Sequence, residues 1–361
     1  MGISNVESYS CANGENAHLG LMSNGARIQL HPGGETAFYK HIDLKQLDHA
    51  WEKLQHAPHK LIRDTKSYLV EASFRSSAGC KEMVERTGVV ISKCYDAQLS
   101  PDFDNPMESK FAFLLEDFAP SDGWYQRWLV QDGEECKAVL SSMAKIHAFF
   151  WEGSSFWKNE DAAKEFEGGV WKSGSYVQPE AQNVDQWKKV ATEWKKKRTK
   201  VERQLSSKDY WDNLGERLQS IAEECGRLAH PFADKVLSKS HRKYRTFTHG
   251  DAKSANIFFR RSKDGDDKKI QIGLIDFQWA GFGLAATDVA HFITAAVDAD
   301  LLVDGGEDFL LKYYYDELSR YLVEYGAFGT VEEARKSFGY DIFQEQYEIA
   351  VLDICRLGEY M

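Results

Sequence analysis

No stretch of this chain approaches the roughly 18 uninterrupted apolar residues that a membrane-spanning helix needs. Met1 to Asn16 is polar and has no apolar core, so it does not read as a secretory signal. Positive charge is not in excess: 45 Lys and Arg stand against 56 Asp and Glu, for a net charge of −11. A broadly acidic surface argues against nucleic acid or an anionic membrane as the main partner. It leaves a nucleotide open, because a few local cations and a metal ion dominate a small site. Cysteine is sparse: Cys11, Cys80, Cys94, Cys136, Cys225 and Cys355 are scattered, with no C-x-x-C pair. In a chain of this length they read as reduced thiols of a cytoplasmic protein rather than as disulfides. Internal repeats and low-complexity segments are absent as well.

What is present suits a globular protein. The 361 residues suffice for one large two-lobed unit or for two domains. The first hundred residues read as a small sheet-rich part. Ala26 to Leu30 alternates like a strand, His31-Pro32-Gly33-Gly34 is a turn, and Thr36 to Ile42 returns as the second strand of a hairpin. Asp64 to Arg75 reads as a helix with Asp64 or Thr65 at its N-cap. Val89 to Ile91 and Phe111 to Leu115 are apolar runs of strand length, with a loop through Ser100 to Pro106 between them. From Cys136 to Trp151, Val139, Leu140, Met143, Ile146, His147 and Phe150 recur at helical spacing. The boundary between the two parts is therefore expected near residues 116–121. Asp185 to Lys239 reads as long, charged, Trp-containing helices. Its run Lys195-Lys196-Lys197-Arg198 lies between Glu193 and Glu202 and reads as a solvated helix face rather than a nucleic-acid patch. From Asp288 onward the pattern is helical again, with Phe309-Leu310-Leu311 and Tyr313-Tyr314-Tyr315 supplying core.

The densest chemistry lies in His249-Gly250-Asp251-Ala252-Lys253-Ser254-Ala255-Asn256, followed by Asp276-Phe277-Gln278 at the end of the apolar run Ile270 to Ile275. Between them, Ile257 to Arg261 and Lys268 to Ile275 read as strands joined by Asp264-Gly265-Asp266-Asp267. That acidic turn lacks the spaced oxygen ligands of a calcium loop and reads as a hairpin turn. The hairpin carries the chain out and back and sets Asp276 close to the loop. Moving a phosphoryl group from ATP to a hydroxyl requires this set of groups. Asp251 suits the carboxylate that orients the attacking hydroxyl. Asn256 and Asp276 are hard oxygen ligands suited to Mg²⁺. Lys253 points the same way as Asp251 in an extended loop and can reach the γ-phosphate.

These residues resemble the aminoglycoside phosphotransferase and choline kinase group of the protein-kinase-like superfamily, and most of all the ecdysteroid-kinase-like small-molecule kinases. Those carry a His-Gly-Asp loop ending in Asn, and Asp-Phe-Gln in place of Asp-Phe-Gly. The resemblance covers most of the chain. It is strongest from Phe247 to Ile293 and weak before residue 80. It implies an α+β, protein-kinase-like bilobal fold. A small sheet-rich N-lobe over residues 1–116 would bind the nucleotide. A larger, mainly helical C-lobe over 117–361 would carry the catalytic loop, the metal site and a helical acceptor-binding insert at about 152–244. ATP and Mg²⁺ are the implied cofactors.

Further roles follow from the resemblance. Lys40, in Ala37-Phe38-Tyr39-Lys40, looks like the strand Lys that contacts the α/β-phosphates; an ordinary strand-end Lys is the other reading. Glu71 looks like the helix Glu that pairs with it, with Glu82 and Glu85 as rivals. Gly20 and Ser23, in Gly20-Leu21-Met22-Ser23, look like the phosphate-covering loop. G-x-G-x-x-G is missing there, and a plain turn is the alternative. Leu115, Glu116 and Phe118 look like the hinge whose backbone would hydrogen-bond adenine. Asp288 looks like the buried Asp that braces the catalytic loop, although capping alone would also explain it. His249 is expected to fix the loop, and His147 to be a core histidine.

The passage from Asp276 to Asp288 is too short for the activation segment, ending in Ala-Pro-Glu, on which protein kinases hold a peptide. The acceptor is therefore expected to be small: a choline-, steroid-, sugar- or aminoglycoside-like alcohol. Gln278 replaces the Gly that would permit an easy backbone flip, so a constitutively assembled site is expected. Trp157, Trp171, Trp187, Trp194 and Trp211 are either an aromatic wall for the acceptor or simply core. Two alternatives stand beside the small-molecule kinase: a non-catalytic nucleotide-binding pseudokinase scaffold, and a protein kinase. A monomer is expected, with a dimer as the alternative, and no nucleic-acid or membrane partner.

Overall fold

A computed structural model describes residues 8–11, 18–19, 23–32, 34–178, 214–261 and 270–358. Gly20, Trp187, Trp194, Trp211, the 195–198 basic run and the 264–267 turn lie outside the described residues. Backbone packing divides the chain into two compact units. One comprises residues 1–128, 164–170 and 255–278; the other comprises 129–163, 171–254 and 279–361. The boundaries interleave, so Asn256 and Asp276 belong to the first unit, and Asp251 and Asp288 to the second.

The strands of the first unit are β1 (Ser8–Cys11), β2 (His18–Leu19), β3 (Asn24–His31), β4 (Thr36–Asp43), β5 (Val90–Ile91), β6 (Cys94–Ser100), β7 (Lys110–Glu116) and β8 (Trp124–Tyr125), followed by the hairpin Ile257–Arg261 and Ile270–Leu274. One antiparallel sheet has the order β1-β3-β4-β7-β6, with β2 on β3. The hairpin forms a second sheet with β5 and β8. Strand alternation buries Phe111, Phe113 and Leu115 on one face of β7. They pack with Ile42 of β4 and with Leu61, Tyr68 and Ala72 of the helix behind the sheet. Each such large apolar side chain contributes about 1.5–3 kcal/mol through burial.

That helix is α2 (His59–Ser76), flanked by α1 (Asp48–His56) and α3 (Ala78–Thr87). It begins at His59, not at Asp64, and the expected N-cap is therefore corrected. Asp64 is buried inside the helix, where its carboxylate accepts from Lys53 Nζ at 2.6 Å and from Arg63 Nη2 at 2.6 Å. With two cations to pair, its burial is compensated, and the usual preference of Asp for a cap is overridden. Thr65 is likewise buried within the helix.

The second unit holds α4 (Gly133–Phe149), α5 (Leu214–Ala229), α6 (Ala285–Ala296), α7 (Gly306–Glu324) and α8 (Tyr340–Gly358). Asp132 caps α4 by accepting from Glu134 N. The expected apolar positions Val139, Leu140, Met143 and Ile146 are all buried, and α4 packs on α7. α8 packs between α6 and α5. The strands Arg245–Thr248 and Gly281–Leu284 pair antiparallel; the first leads into the His249–Asn256 loop and the second into α6. Trp171 stacks on Trp279, with ring centroids 6.0 Å apart. Trp157 donates its indole N–H to the carbonyls of Phe150 and Trp151. Both rings are thus built into packing. The architecture is α+β, with an N-terminal sheet region and a helical C-terminal part, as in a protein-kinase-like fold. Among the described residues no helix is long and apolar enough to cross a membrane. Cys80, Cys94, Cys136, Cys225 and Cys355 are free thiols.

Candidate active site

In the first unit, β4 carries Lys40 inward. Its Nζ donates to Glu71 Oε2 at 2.8 Å and to Asp276 Oδ1 at 3.1 Å. The other carboxylate oxygen of Glu71 accepts from Arg75 Nη2 at 3.1 Å, and Arg75 also donates to the carbonyl of Ser92. Burial alone would push the Lys40 ammonium down and the Glu71 carboxyl up. The facing charges win: Lys40 lies above its ordinary value, and Lys40 and Arg75 hold Glu71 at about 2. Glu82, on α3, pairs instead with Arg86 at 3.0 Å.

α2 also fixes the segment that bears Asp276. Phe277 is fully buried and stacks on Phe74 with centroids 4.4 Å apart, and the Arg75 guanidinium lies over its ring. Asp276 has a φ of 64°, a left-handed conformation that Asp tolerates better than most residues. Ile275 N donates to Asn256 O at 3.2 Å, so the hairpin returns Asp276 beside Asn256. Among the described residues, no group of three or more His, Cys, Asp or Glu is arranged to hold a metal ion. One carboxylate and one amide are nevertheless a donor set that Mg²⁺ uses when phosphate and water oxygens complete its octahedron. The donors present fit that ion.

The other residues expected to serve a nucleotide lie as follows. Ser23 is half-buried just before β3. Leu115 is buried in β7. Glu116 donates its backbone N–H to Lys93 O at 2.7 Å and accepts from Ser92 Oγ at its carbonyl. Phe118 is buried against Trp124 and Phe258. Between Glu116 and Phe118, Asp117 takes a two-pronged contact from Arg27 of β3, at 2.5 and 3.0 Å.

In the second unit, the loop after Arg245–Thr248 is braced by one carboxylate. Asp288 Oδ2 accepts from His249 N at 2.6 Å, and Oδ1 accepts from Gly250 N at 2.9 Å. The His147 ring lies 3.2 Å from Oδ2 and contacts Tyr314 Oη at 2.7 Å through its other nitrogen. Burial pushes the Asp288 carboxyl up, but the bonds it accepts hold it below its ordinary value. Asp288 is not a cap: the N-cap position of α6 is Leu284. Gly250 is required by shape, since with φ at 79° a Cβ there would lie 2.2 Å from Trp279 O. His249 Nδ1 accepts from Asp251 N at 3.3 Å. Asp251 is 4% exposed, and its Oδ2 accepts from Lys253 Nζ at 2.8 Å. Burial raises its carboxyl, yet the charge of Lys253 beside it leaves it below its usual value.

Residues 73–326 match the ecdysteroid kinase-like family, which is more than half of the chain. The chain belongs to the ecdysteroid kinase-like family. The matched span includes Asp251, Lys253, Asn256, Asp276 and Asp288, and begins after Lys40 and Glu71. The ecdysteroid kinase-like family is kinase-like, in keeping with the α+β architecture. A comparison with curated proteins found no match.

Two residues of this ecdysteroid kinase-like chain escaped the sequence reading. Arg75 holds the second oxygen of Glu71; its signal was the i,i+4 spacing on α2. His291 sits one turn after Asp288 on α6 and places Nε2 3.7 Å from Asp251 Oδ1. Its signal was the i,i+3 spacing from the bracing Asp.

Proposed function

We propose that the protein is an ATP- and Mg²⁺-dependent phosphotransferase that moves the γ-phosphate to a hydroxyl of a small molecule. The observation that carries this reading is the buried Lys40 ammonium held between Glu71 and Asp276. An ammonium oriented by one carboxylate and touching a second, metal-suited one is equipped to receive phosphate oxygens. Membership of a kinase-like family supports the same chemistry.

In this reading Lys40 binds the α- and β-phosphates, while Glu71 and Arg75 keep it aimed. Asn256 and Asp276 would hold Mg²⁺, which supplies neutralisation of phosphate charge. Asp251 orients the acceptor hydroxyl and takes its proton late. A carboxylate below its ordinary value is a weak base, but a loose transition state asks for no stronger one. Lys253 neutralises charge on the transferring group. Gly20 and Ser23 serve the phosphates, and Leu115, Glu116 and Phe118 serve adenine. The direct run of Gly281–Leu284 into α6 supports a small acceptor rather than a peptide. The family description makes an ecdysteroid hydroxyl the first one to test.

The test is transfer of radiolabelled phosphate from Mg·ATP to a panel of ecdysone, choline, ethanolamine, sugars and aminoglycosides. Transfer to one class by wild type, and none by Asp251→Ala, is expected. Absence of Mg²⁺-dependent ATP binding by the wild type would overturn the reading.

A further inference from the structure

The two oxygens of the Asp251 carboxylate face different groups. Oδ2 accepts from Lys253 Nζ at 2.8 Å. Oδ1 faces the imidazole of His291, with Nε2 at 3.7 Å, beyond a direct hydrogen bond. An oxygen about 2.8 Å from both atoms would fit between them at an angle of roughly 80°. The ring keeps 14% exposure and borders a recess together with Ser175, Thr287, His230 and Asp353. His230, which also lines the recess, is bonded to Asp353 at 2.8 Å, each side chain 1% exposed. Because α6 supplies both Asp288 and His291, the helix that braces the loop also sets the ring against the carboxylate.

We propose that His291 is a second catalytic residue, whose Nε2–H donates to the acceptor oxygen while the hydroxyl hydrogen points at Asp251 Oδ1. This rests on the phosphotransferase reading above. An alcohol oxygen has one hydrogen and two lone pairs. With the hydrogen on Asp251 and one lone pair on His291, a single lone pair remains, and its direction is fixed. That pair forms the new O–P bond as the bond from the γ-phosphorus to the β–γ bridging oxygen breaks. ADP leaves with the bonding electrons, and the hydroxyl proton passes to Asp251. His291 keeps its own proton throughout.

The facing carboxylate selects the tautomer with hydrogen on Nε2. Burial holds the imidazole below its ordinary value, although Asp251 and Asp288 pull it upward. The ring is therefore a neutral donor at neutral pH. Protonation at acid pH places a cation opposite Asp251, and the resulting attraction competes with the acceptor hydroxyl for Oδ1. The charged and titratable groups that face it are Asp251, Lys253 and His249 from the loop, Asp288 on its own helix, and His230 and Asp353 across the recess.

The test compares wild type, His291→Ala, His291→Gln and Asp251→Ala. The phosphate acceptor is ecdysone and, in its absence, water, read as Mg·ATP hydrolysis between about pH 5 and 8. His291→Ala is expected to lower kcat/KM for the acceptor about 10- to 100-fold, with KM for ATP unchanged. His291→Gln returns an N–H to the same place; it should recover most of the rate and lose the acid limb caused by imidazole protonation. Wild-type kcat/KM in His291→Ala, or an acid limb in His291→Gln identical to that of wild type, removes the proposal while Asp251→Ala remains inactive. If His291→Ala fails to fold, the pH profile of His291→Gln decides. Full activity in Asp251→Ala removes the role given to that carboxylate and the proposal with it, whereas absence of Mg²⁺-dependent ATP binding by the wild type removes the phosphotransferase reading itself.

Discussion

In the first unit a single ammonium is fixed by carboxylates that lie 31 and 236 residues away in the chain, whereas in the second a single carboxylate fixes two backbone amides 38 and 39 residues upstream. The first arrangement is charge on charge. Its members can exchange partners, so a phosphate can replace part of what Lys40 touches. The second is charge on neutral donors, with the His249 and Gly250 amides sharing one acceptor, Asp288. The groups proposed to bind nucleotide are thus held adjustably, and the loop proposed to orient the acceptor is held rigidly.

Removing the brace should have the largest effect. Asp288→Ala leaves two buried amides and the His147 ring without their shared acceptor. A loss of about 3–5 kcal/mol is expected in urea unfolding, together with loss of transfer. A loss below about 1 kcal/mol would mean that the loop does not depend on the brace.

Acid pH should act next, and mainly on the first unit. The Glu71 pKa is lowered from 4.5 to about 2 in the folded protein. A depressed carboxylate contributes stability that is present above its unfolded value and lost as pH falls through its folded value. The contribution, about 3 kcal/mol, should therefore disappear between about pH 4.5 and 2. Glu71→Gln should lose this part of the pH dependence; an unchanged slope over that interval would contradict the ion-pair account.

Lys40→Met should cost less, about 1–3 kcal/mol, because Arg75 still pairs with Glu71. Combined with Glu71→Gln in a double-mutant cycle, it should show a coupling of about 0.5–3 kcal/mol; strict additivity would mean that the pair does not act as one. At the small end, Glu82→Ala should stay within about 0.5 kcal/mol of wild type and leave ATP affinity unchanged, because it breaks only a surface pair.

The same contrast explains what could be read from the sequence. The loop from His249 to Asn256 and the strand ending at Asp276 announce themselves through local spacing. Lys40 and Glu71 needed a family resemblance, because nothing local links a strand residue to a helix residue 31 positions away. Asp64 misled, since its cations Lys53 and Arg63 lie on the N-terminal side of the assumed helix start. The short α3 was not foreseen, although its ends carry signals: Ser77 caps it by accepting from Cys80 N, and Gly88 closes it at a φ of 67°. Neither α1 nor β6 was foreseen. Strand β6 alternates poorly because most of its residues are exposed or half-exposed.

In the proposed mechanism Asp276 serves the metal–nucleotide complex and Asp251 serves the acceptor. The decisive experiment is calorimetric titration of wild type, Asp276→Ala and Asp251→Ala with ATP, with and without Mg²⁺. Mg²⁺-dependent binding to wild type, binding of similar strength to Asp251→Ala, and loss of the Mg²⁺ dependence in Asp276→Ala are expected. Equal Mg²⁺-dependent binding by Asp276→Ala and wild type would contradict that mechanism.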